Sequence, residues 1–134
     1  MADARVETVY QDRDGACAFL DQAETFLHDA GAAGLSSASR AVLLHNASVC
    51  ACDAILQASG RRVTPGDGAH VLRLETALAE LEGDTEDLFE ALDASRAIRN
   101  EASYAAGFIA GASVMDACEA TTELIERARS YLAD

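Results

Sequence analysis

Residues 36–60 read SSASRAVLLHNASVCACDAILQASG and carry a long, regular pattern. Along this stretch, residues suited to a buried face recur at alternating steps of four and three, at Ala38, Val42, His45, Val49, Cys52 and Leu56. Such spacing places the residues on one face of an α-helix. Ser36 and Ser37 offer N-caps, and Gly60 is a residue type that commonly follows the end of a helix. The stretch therefore predicts a long amphipathic helix that buries one face.

The rest of the chain repeats this pattern in shorter segments. We expect further helices over 12–30, ended by the Gly31–Gly34 region, over 69–82, over 85–104 and over 112–132. Asp67 can cap the third helix of the chain, and Asp84 or Thr85 the fourth. RRVTPGDG, residues 61–68, predicts a loop, and the glycines of AAGFIAG, residues 105–111, favour a break or bend. The first ten residues are weakly patterned and suit a frayed lead-in or a short extra helix, and no strand or hairpin signal competes.

Length and composition bound the architecture. The chain has 134 residues, half of them hydrophobic, and one proline, Pro65. This is the size of one ordinary domain, and few β-branched runs favour helix over strand. We predict a single domain over 1–134, with a compact core over 12–132 and a lead-in over 1–11. Short loops make successive helices antiparallel, so the predicted fold is all-α, an up-down bundle of four to five helices.

The charge of the chain limits its partners. The formal net charge is −13, with ten basic and 23 acidic residues. This balance disfavours broad electrostatic capture of nucleic acid, which needs many cationic contacts to phosphate, but it leaves room for a local basic pocket. No secretory segment is apparent, and no run approaches the length that spans a membrane. We therefore expect a cytoplasmic protein with reduced thiols and no membrane partner.

Cysteine and histidine spacing does not predict a metal centre. Cys50 and Cys52 point to nearly opposite sides of a helix and cannot both hold one tetrahedral ion. We interpret both as structural thiols, and His45, on the apolar stripe, as a core histidine. His28 and His70 lie near helix ends, where capping accounts for them. The sequence contains no fingerprint for a nucleotide cofactor, so we predict neither a metal nor a cofactor.

The segment SRAIRNEASYAAG, residues 95–107, interrupts an apolar face with charge. If Leu88 is placed at zero on a helical wheel, Leu92, Ser95 and Arg99 fall within about 40° of it. Arg99 thus belongs to the buried stripe, and a buried guanidinium needs an acceptor or a ligand. The acceptor is either a carboxylate of another helix, a partner across a dimer seam, or a bound ligand.

The sequence resembles the HEPN superfamily over about Asp14 to Leu132. The similarity lies in DLFEALDASRAIRNEASY followed by a terminal helix, in NASVCACDAILQASGRR as a long second helix, and in GAHVLRLETAL as a third helix with an early histidine. Members are small all-α bundles, often dimers. Their fourth helix carries an Arg, often followed by a polar residue, and a His four to six residues further on. Many members cut RNA at a dimer cleft.

The resemblance implies a catalytic site of Arg99, Asn100 and Tyr104, with tyrosine at the histidine position. A phenol, with an ordinary pKa near ~10, is a poor general base at neutral pH, although it can donate a hydrogen bond to phosphate. On an ideal helix Tyr104 is about 140° from Arg99, so the two share a pocket only if the helix loosens near Ala102 or if Tyr104 faces a second subunit.

Three functions follow as hypotheses. The first is a HEPN-like homodimer that acts as a binding or regulatory module of RNA-associated or toxin–antitoxin type, with RNA or a nucleotidyltransferase-type antitoxin as its partner. The second is an active, metal-independent endoribonuclease that uses Arg99, Asn100 and Tyr104. The third is a helical bundle without a ligand, in which Arg99 is structural.

Overall fold

The computed structural model describes residues 2–104 and 109–134, with the side chains of 101–104 outside the description. These residues form five helices and two short strands, in the order β1 (Val6–Thr8), α1 (Arg13–Ala30), α2 (Ser37–Ser59), β2 (Arg61–Val63), α3 (Ala69–Ala79), α4 (Glu86–Tyr104) and α5 (Gly111–Ala133). The prediction of an all-α helical bundle is confirmed.

Helix α2 lies at the centre of the bundle and packs against each of the other four helices. Its boundaries are set by the residues that the sequence predicted. Ser36 accepts a hydrogen bond from the Ser39 amide at the N-terminus, and Gly60 ends the helix in the left-handed conformation, with φ of 74°. A glycine adopts that conformation without the steric cost that a Cβ atom brings.

The core forms where α1, α4 and α5 pack on α2. The largest side chains that are fully shielded from solvent come from three of these helices: Leu20, Leu44, Ile55, Leu124 and Thr121. Small residues fill the remaining contacts, since Ala16, Ala23, Ala47, Ala51, Ala54 and Ala128 are also fully buried or nearly so. Alanine at helix contacts lets the backbones approach closely, and the resulting core is dense although it holds few aromatic rings.

The N-terminal segment corrects the sequence-based prediction. β1 pairs with β2 in an antiparallel ribbon, with Val6 opposite Val63 and Thr8 opposite Arg61. The expectation of a frayed segment or a short helix over the first ten residues was wrong at 6–8, and the expectation of a loop over 61–68 was wrong at 61–63. The backbone amides of this segment find their acceptors in β2 and at the end of α2, which explains why an otherwise weakly patterned stretch is ordered.

The caps of α3 and α4 differ from one another. Asp84 accepts a hydrogen bond from the Glu86 amide at 2.9 Å, as predicted for the start of α4. Asp67 does not cap α3. That helix begins after Gly68, which has a φ of 78° and gives no side-chain cap, and the Asp67 carbonyl instead accepts from the Ala4 amide.

Helix α2 also meets the length and composition of a membrane span, which the sequence analysis did not expect. An 18-residue window within its 23 residues has a mean hydropathy of 1.3, and 56% of that window is buried inside the protein. The core helix of a folded domain has the same properties, so this finding is weak evidence for a membrane helix.

Candidate anion-binding site

Arg99 lies on the buried stripe of α4, where the sequence placed it. The three preceding residues of the stripe, Leu88, Leu92 and Ser95, are buried, and Arg99 itself is half-buried. Its Nε atom is buried and has no hydrogen-bond partner among the residues that the structure describes. None of the ion pairs within the described chain includes Arg99. An unpaired buried N–H of this kind costs free energy and is open to an acceptor.

The neighbourhood of Arg99 is cationic. A cavity of about 40 Å³ opens between α2, α3 and α4 and is lined by His45, His70, Arg73 and Arg96. Arg99 is close enough to influence both imidazoles electrostatically. The two imidazole rings lie 6.3 Å apart, centroid to centroid. We call these five residues the cationic cluster.

Two basic pairs at helical spacing supply four residues of the cationic cluster. His70 and Arg73 are three residues apart in α3, and Arg96 and Arg99 are three residues apart in α4. Residues at this spacing lie on one side of a helix. His45 lies in the middle of α2, and packing of α3 and α4 on α2 places His45, His70, Arg73 and Arg96 around one cavity. Arg99 does not line this cavity, but its charge acts on both imidazoles.

Two carboxylates offset part of this charge. Asp53 forms an ion pair with Arg73, Oδ1 to Nε, at 3.4 Å. Asp93 accepts from both Nε and Nη2 of Arg96 at 3.1 Å. Arg73 and Arg96 are thus held in place by acids of their own surroundings. Arg99 is the third guanidinium of the cluster, and the local balance is positive in a chain whose net charge is −13.

The imidazole pKa values record this environment. Burial, and next the positive charge of Arg99, lower the pKa of His45 from 6.5 to about 4, with smaller effects of His70, Arg96 and Arg73. Burial also lowers the pKa of His70, with the charges of Arg73, Arg96 and Arg99 adding to the effect. Both rings are therefore neutral at pH 7. A bound anion would oppose the arginine charges and raise both pKa values.

The arrangement suits a small oxyanion. Arginine presents planar donors that match phosphate and carboxylate, and a neutral imidazole can donate one N–H. A 40 Å³ cavity holds roughly three water molecules. That is room for one phosphate-sized group, and a nucleoside attached to it would lie outside the cavity.

The structure describes two of the three side chains that the HEPN resemblance placed in one site, Arg99 and Asn100. Arg99 belongs to the cationic cluster. Asn100 follows it on α4 and is half-buried, and neither Arg99 nor Asn100 lines the cavity. Helix α4 continues through Tyr104, so the backbone does not loosen at Ala102, and positions 99 and 104 stay about 140° apart. The side chain of Tyr104 lies outside the described part of the chain.

Sequence reasoning missed most of the cluster. His45 was interpreted as a core residue and His70 as a helix-end residue, and Arg73 and Arg96 were not considered. The signal was present as two basic pairs at three-residue spacing, His70 with Arg73 and Arg96 with Arg99. Each pair marks one side of its helix as cationic, which is unusual in a chain this acidic.

The two thiols of α2 are placed for packing. Cys52 is buried and Cys50 half-buried on α2. Burial, with a smaller contribution from the Asp53 charge, raises the pKa of Cys52 to about 12 and raises the pKa of Cys50. Both thiols are protonated at neutral pH and are poor nucleophiles. Across 2–100 and 109–134, no three His, Cys, Asp or Glu side chains converge in a way that could hold a metal ion.

Comparison with protein-family models, with curated proteins and with solved structures gives no match for this chain.

Proposed function

We propose that the protein is a HEPN-like binding or regulatory module that holds a phosphate group of RNA in the cationic cluster. The observation that carries the proposal is the guanidinium of Arg99, whose buried Nε has no partner among the described residues. Four further nitrogen-bearing side chains, His45, His70, Arg73 and Arg96, line the neighbouring cavity, which Arg99 itself does not line. A phosphate would supply the acceptor that Arg99 lacks and would balance the positive charge.

The proposed site is locally positive, although the net charge of the protein is negative. The net charge of −13 repels a polyanion at long range, but that repulsion is screened within about one Debye length, ~10 Å at 0.1 M salt. Contacts inside the cavity are closer and less screened. We therefore expect weak, slow association with RNA and a preference for one terminal or exposed phosphate over a long continuous backbone.

Binding without cleavage is favoured by the protonation state of His45. An efficient general base has a pKa near the working pH. The pKa of His45 is about 4, so its imidazole is a weak base at pH 7. A Tyr104 phenol is unsuited to the same task for the opposite reason, because it holds its proton too tightly.

The test is a binding measurement with matched variants. Fluorescence anisotropy of a labelled single-stranded RNA with a 5′-phosphate is measured at low salt, with the same RNA lacking that phosphate and with inorganic phosphate as competitors. Arg99→Gln should weaken binding roughly tenfold. Arg129→Gln is the control, because Arg129 pairs with Asp21 and Glu24 on the surface and loses the same charge. Equal losses in the two variants would contradict the proposal.

Ribonuclease activity is a second candidate, and one observation favours it. The charge of Arg99 acts on His45, so an imidazole is within electrostatic reach of the arginine even though no histidine follows Arg99 in the sequence. A phosphate in the cavity would raise the pKa of His45 and make it a better base. Forced expression should then slow growth, and His45→Gln and Arg99→Ala should each relieve the effect. Normal growth with intact bulk RNA would reject this candidate.

The assembly is part of the same proposal. We propose a cytoplasmic homodimer, with a nucleotidyltransferase-type antitoxin as an alternative partner to RNA, on the strength of the HEPN resemblance. Sedimentation at micromolar concentration separates monomer from dimer. A strict monomer that still binds RNA through Arg99 would remove the dimer from the proposal and leave the site intact.

A further inference from the structure

A second site lies on the opposite side of α4. Helices α4 and α5 leave between them a groove of about 640 Å³, far larger than the cavity of the cationic cluster. Its floor is apolar and built mainly from short side chains, with Leu88, Ala91, Ala117 and Ala120 among them. Because alanines do not reach across the gap between the helices, the groove stays open along its length. Residues 87–98 of α4 line it, which corresponds to ~17 Å of helix.

Acidic side chains border this apolar floor. Asp84 and Asp87 stand at the N-terminal end of α4, and Asp116, Glu119 and Glu123 follow one side of α5. Glu123 pairs with Arg127 at 3.3 Å. Asp87, Asp116 and Glu119 form no ion pair with any residue that the structure describes. Like charges three or four residues apart on one helix repel each other, so the free protein carries an unfavourable interaction along this rim.

Ser95 gives an independent sign of a missing partner. Its side chain lines the groove, and the residue is only 2% exposed. Its Oγ atom is buried without a hydrogen-bond partner among the described residues. A buried hydroxyl without a partner is uncommon in native proteins. A donor or acceptor entering the groove from outside would satisfy it.

We propose that this groove is the docking site for a positively charged amphipathic helix of another protein. The apolar floor matches the apolar face of such a helix, the acidic rim matches flanking Lys or Arg residues, and the open length accommodates about three helical turns. Charge selects this occupant over a second copy of the chain. A copy carries the same acidic rim and a net charge of −13, and two such surfaces repel each other.

The proposal is independent of the phosphate site. Leu92, Asp93 and Arg96 line the cavity of the cationic cluster, whereas Ala91, Ala94 and Ser95 line the groove. The two sites therefore use different faces of α4, and each can be tested while the other is unchanged.

The experiment measures binding of a labelled helical peptide of about 16 residues made of Leu, Ala and Lys, with all Lys residues on one face. Ala94→Arg is the first variant, because Ala94 is exposed and lines the groove. It adds a bulky positive charge and should weaken binding roughly tenfold or more. Ala97→Arg is the matched control, since Ala97 is exposed on the same helix outside the groove and adds the same charge.

A second pair of variants removes charge without adding bulk. Asp116→Asn combined with Glu119→Gln should weaken the peptide roughly tenfold and flatten its salt dependence. Glu75→Gln combined with Glu90→Gln changes the net charge equally at exposed positions elsewhere and should leave affinity nearly unchanged. Ser95→Ala should weaken binding without lowering thermal stability.

Three results would overturn the docking proposal. One is equal binding of a scrambled peptide with the same composition, which would reduce the interaction to net charge. Another is an equal effect of Ala94→Arg and Ala97→Arg. The last is self-association of the protein that Ala94→Arg abolishes, because the groove would then be occupied by a second copy.

Discussion

The replacement Arg99→Met tests whether Arg99 is held for a ligand or for stability. Methionine keeps the aliphatic packing along the α4 stripe and removes the guanidinium. In the wild-type protein the buried Nε has no partner within the described residues, and a buried unsatisfied group of this kind costs about 1–3 kcal/mol. The variant also loses a positive charge that lowers the pKa of His45. We expect a net gain of about 1 kcal/mol, after the lost packing of the longer side chain is subtracted.

A gain of this size raises Tm by about 3–5 °C for a domain of this length. The assay is thermal unfolding by circular dichroism at pH 7 in a phosphate-free buffer, with NMR titration of the His45 ring as a second readout. The pKa of His45 should rise in the variant, and stabilisation by added phosphate should disappear. Arg129→Met, at an exposed ion pair with Asp21 and Glu24, should change stability by less than about 0.5 kcal/mol.

The result that would refute this reasoning is a clear fall in Tm. A loss of several degrees would mean that Arg99 holds the fold through a partner of its own chain, as the ligand-free bundle hypothesis requires. An unchanged pKa of His45 would show separately that the two side chains are not electrostatically coupled.

Three further perturbations test the rest of the structure. The folded pKa of His45, about 4 against an ordinary 6.5, means that the unfolded chain takes up the proton first on acidification, so stability is lost as pH falls from 6.5 towards 4. With these two pKa values the free energy of unfolding falls by ~2 kcal/mol between pH 7 and pH 5. Solvent screening of the partly exposed ring reduces this loss to about 1 kcal/mol. In His45→Gln, the free energy of unfolding by urea should vary less with pH, by that amount. Gly60→Ala should cost about 2 kcal/mol, since an added Cβ would stand 2.8 Å from the Val9 carbonyl oxygen at a φ of +74°, and urea midpoints measure it against Gly34→Ala, where space is open. Thr121→Val should cost about 1 kcal/mol because it removes the buried hydrogen bond to Ser48 of 3.0 Å, and adding Ser48→Ala should recover part of the loss in a double-mutant cycle.

The helices could be predicted because their signals are local. In α2 the spacing of apolar residues, the Ser36 cap and the terminal Gly60 lie within one continuous stretch, and both ends fall where the sequence places them. The β1–β2 ribbon has no comparable signal. Each strand has three residues, too few for an alternating pattern, and the partners are separated by more than fifty residues, as in Val6 with Val63. Such pairing depends on where the C-terminal end of α2 lies in the fold, and no local sequence pattern specifies that position.

Only part of the site could be predicted from the sequence. The position of Arg99 on a buried stripe follows from helical geometry alone. Its electrostatic effect on His45 does not, because His45 and Arg99 belong to different helices, and their proximity depends on how α2 and α4 pack. His45 is half-buried, and its interpretation as a core histidine did not include the arginines of α3 and α4 that share its cavity. An apolar stripe predicts burial, and it leaves unstated which charges the neighbouring helices bring to that face.

The distribution of charge connects the two proposed sites. The net charge of −13 is unevenly distributed over the surface. One side of α4 contributes Arg96 and Arg99 to the cationic cluster, and the other side borders the acidic groove. A ligand at either site would change the field felt by the other across one helix diameter, ~10 Å, which is about the screening length at moderate salt. A cationic helix in the groove would attract a phosphate electrostatically. It would therefore strengthen phosphate binding if its field reaches the cavity. Measuring RNA affinity with and without saturating peptide, at two salt concentrations, decides between coupled and independent sites. Coupling that persists at high salt would point to a movement of α4 rather than to the electrostatic field.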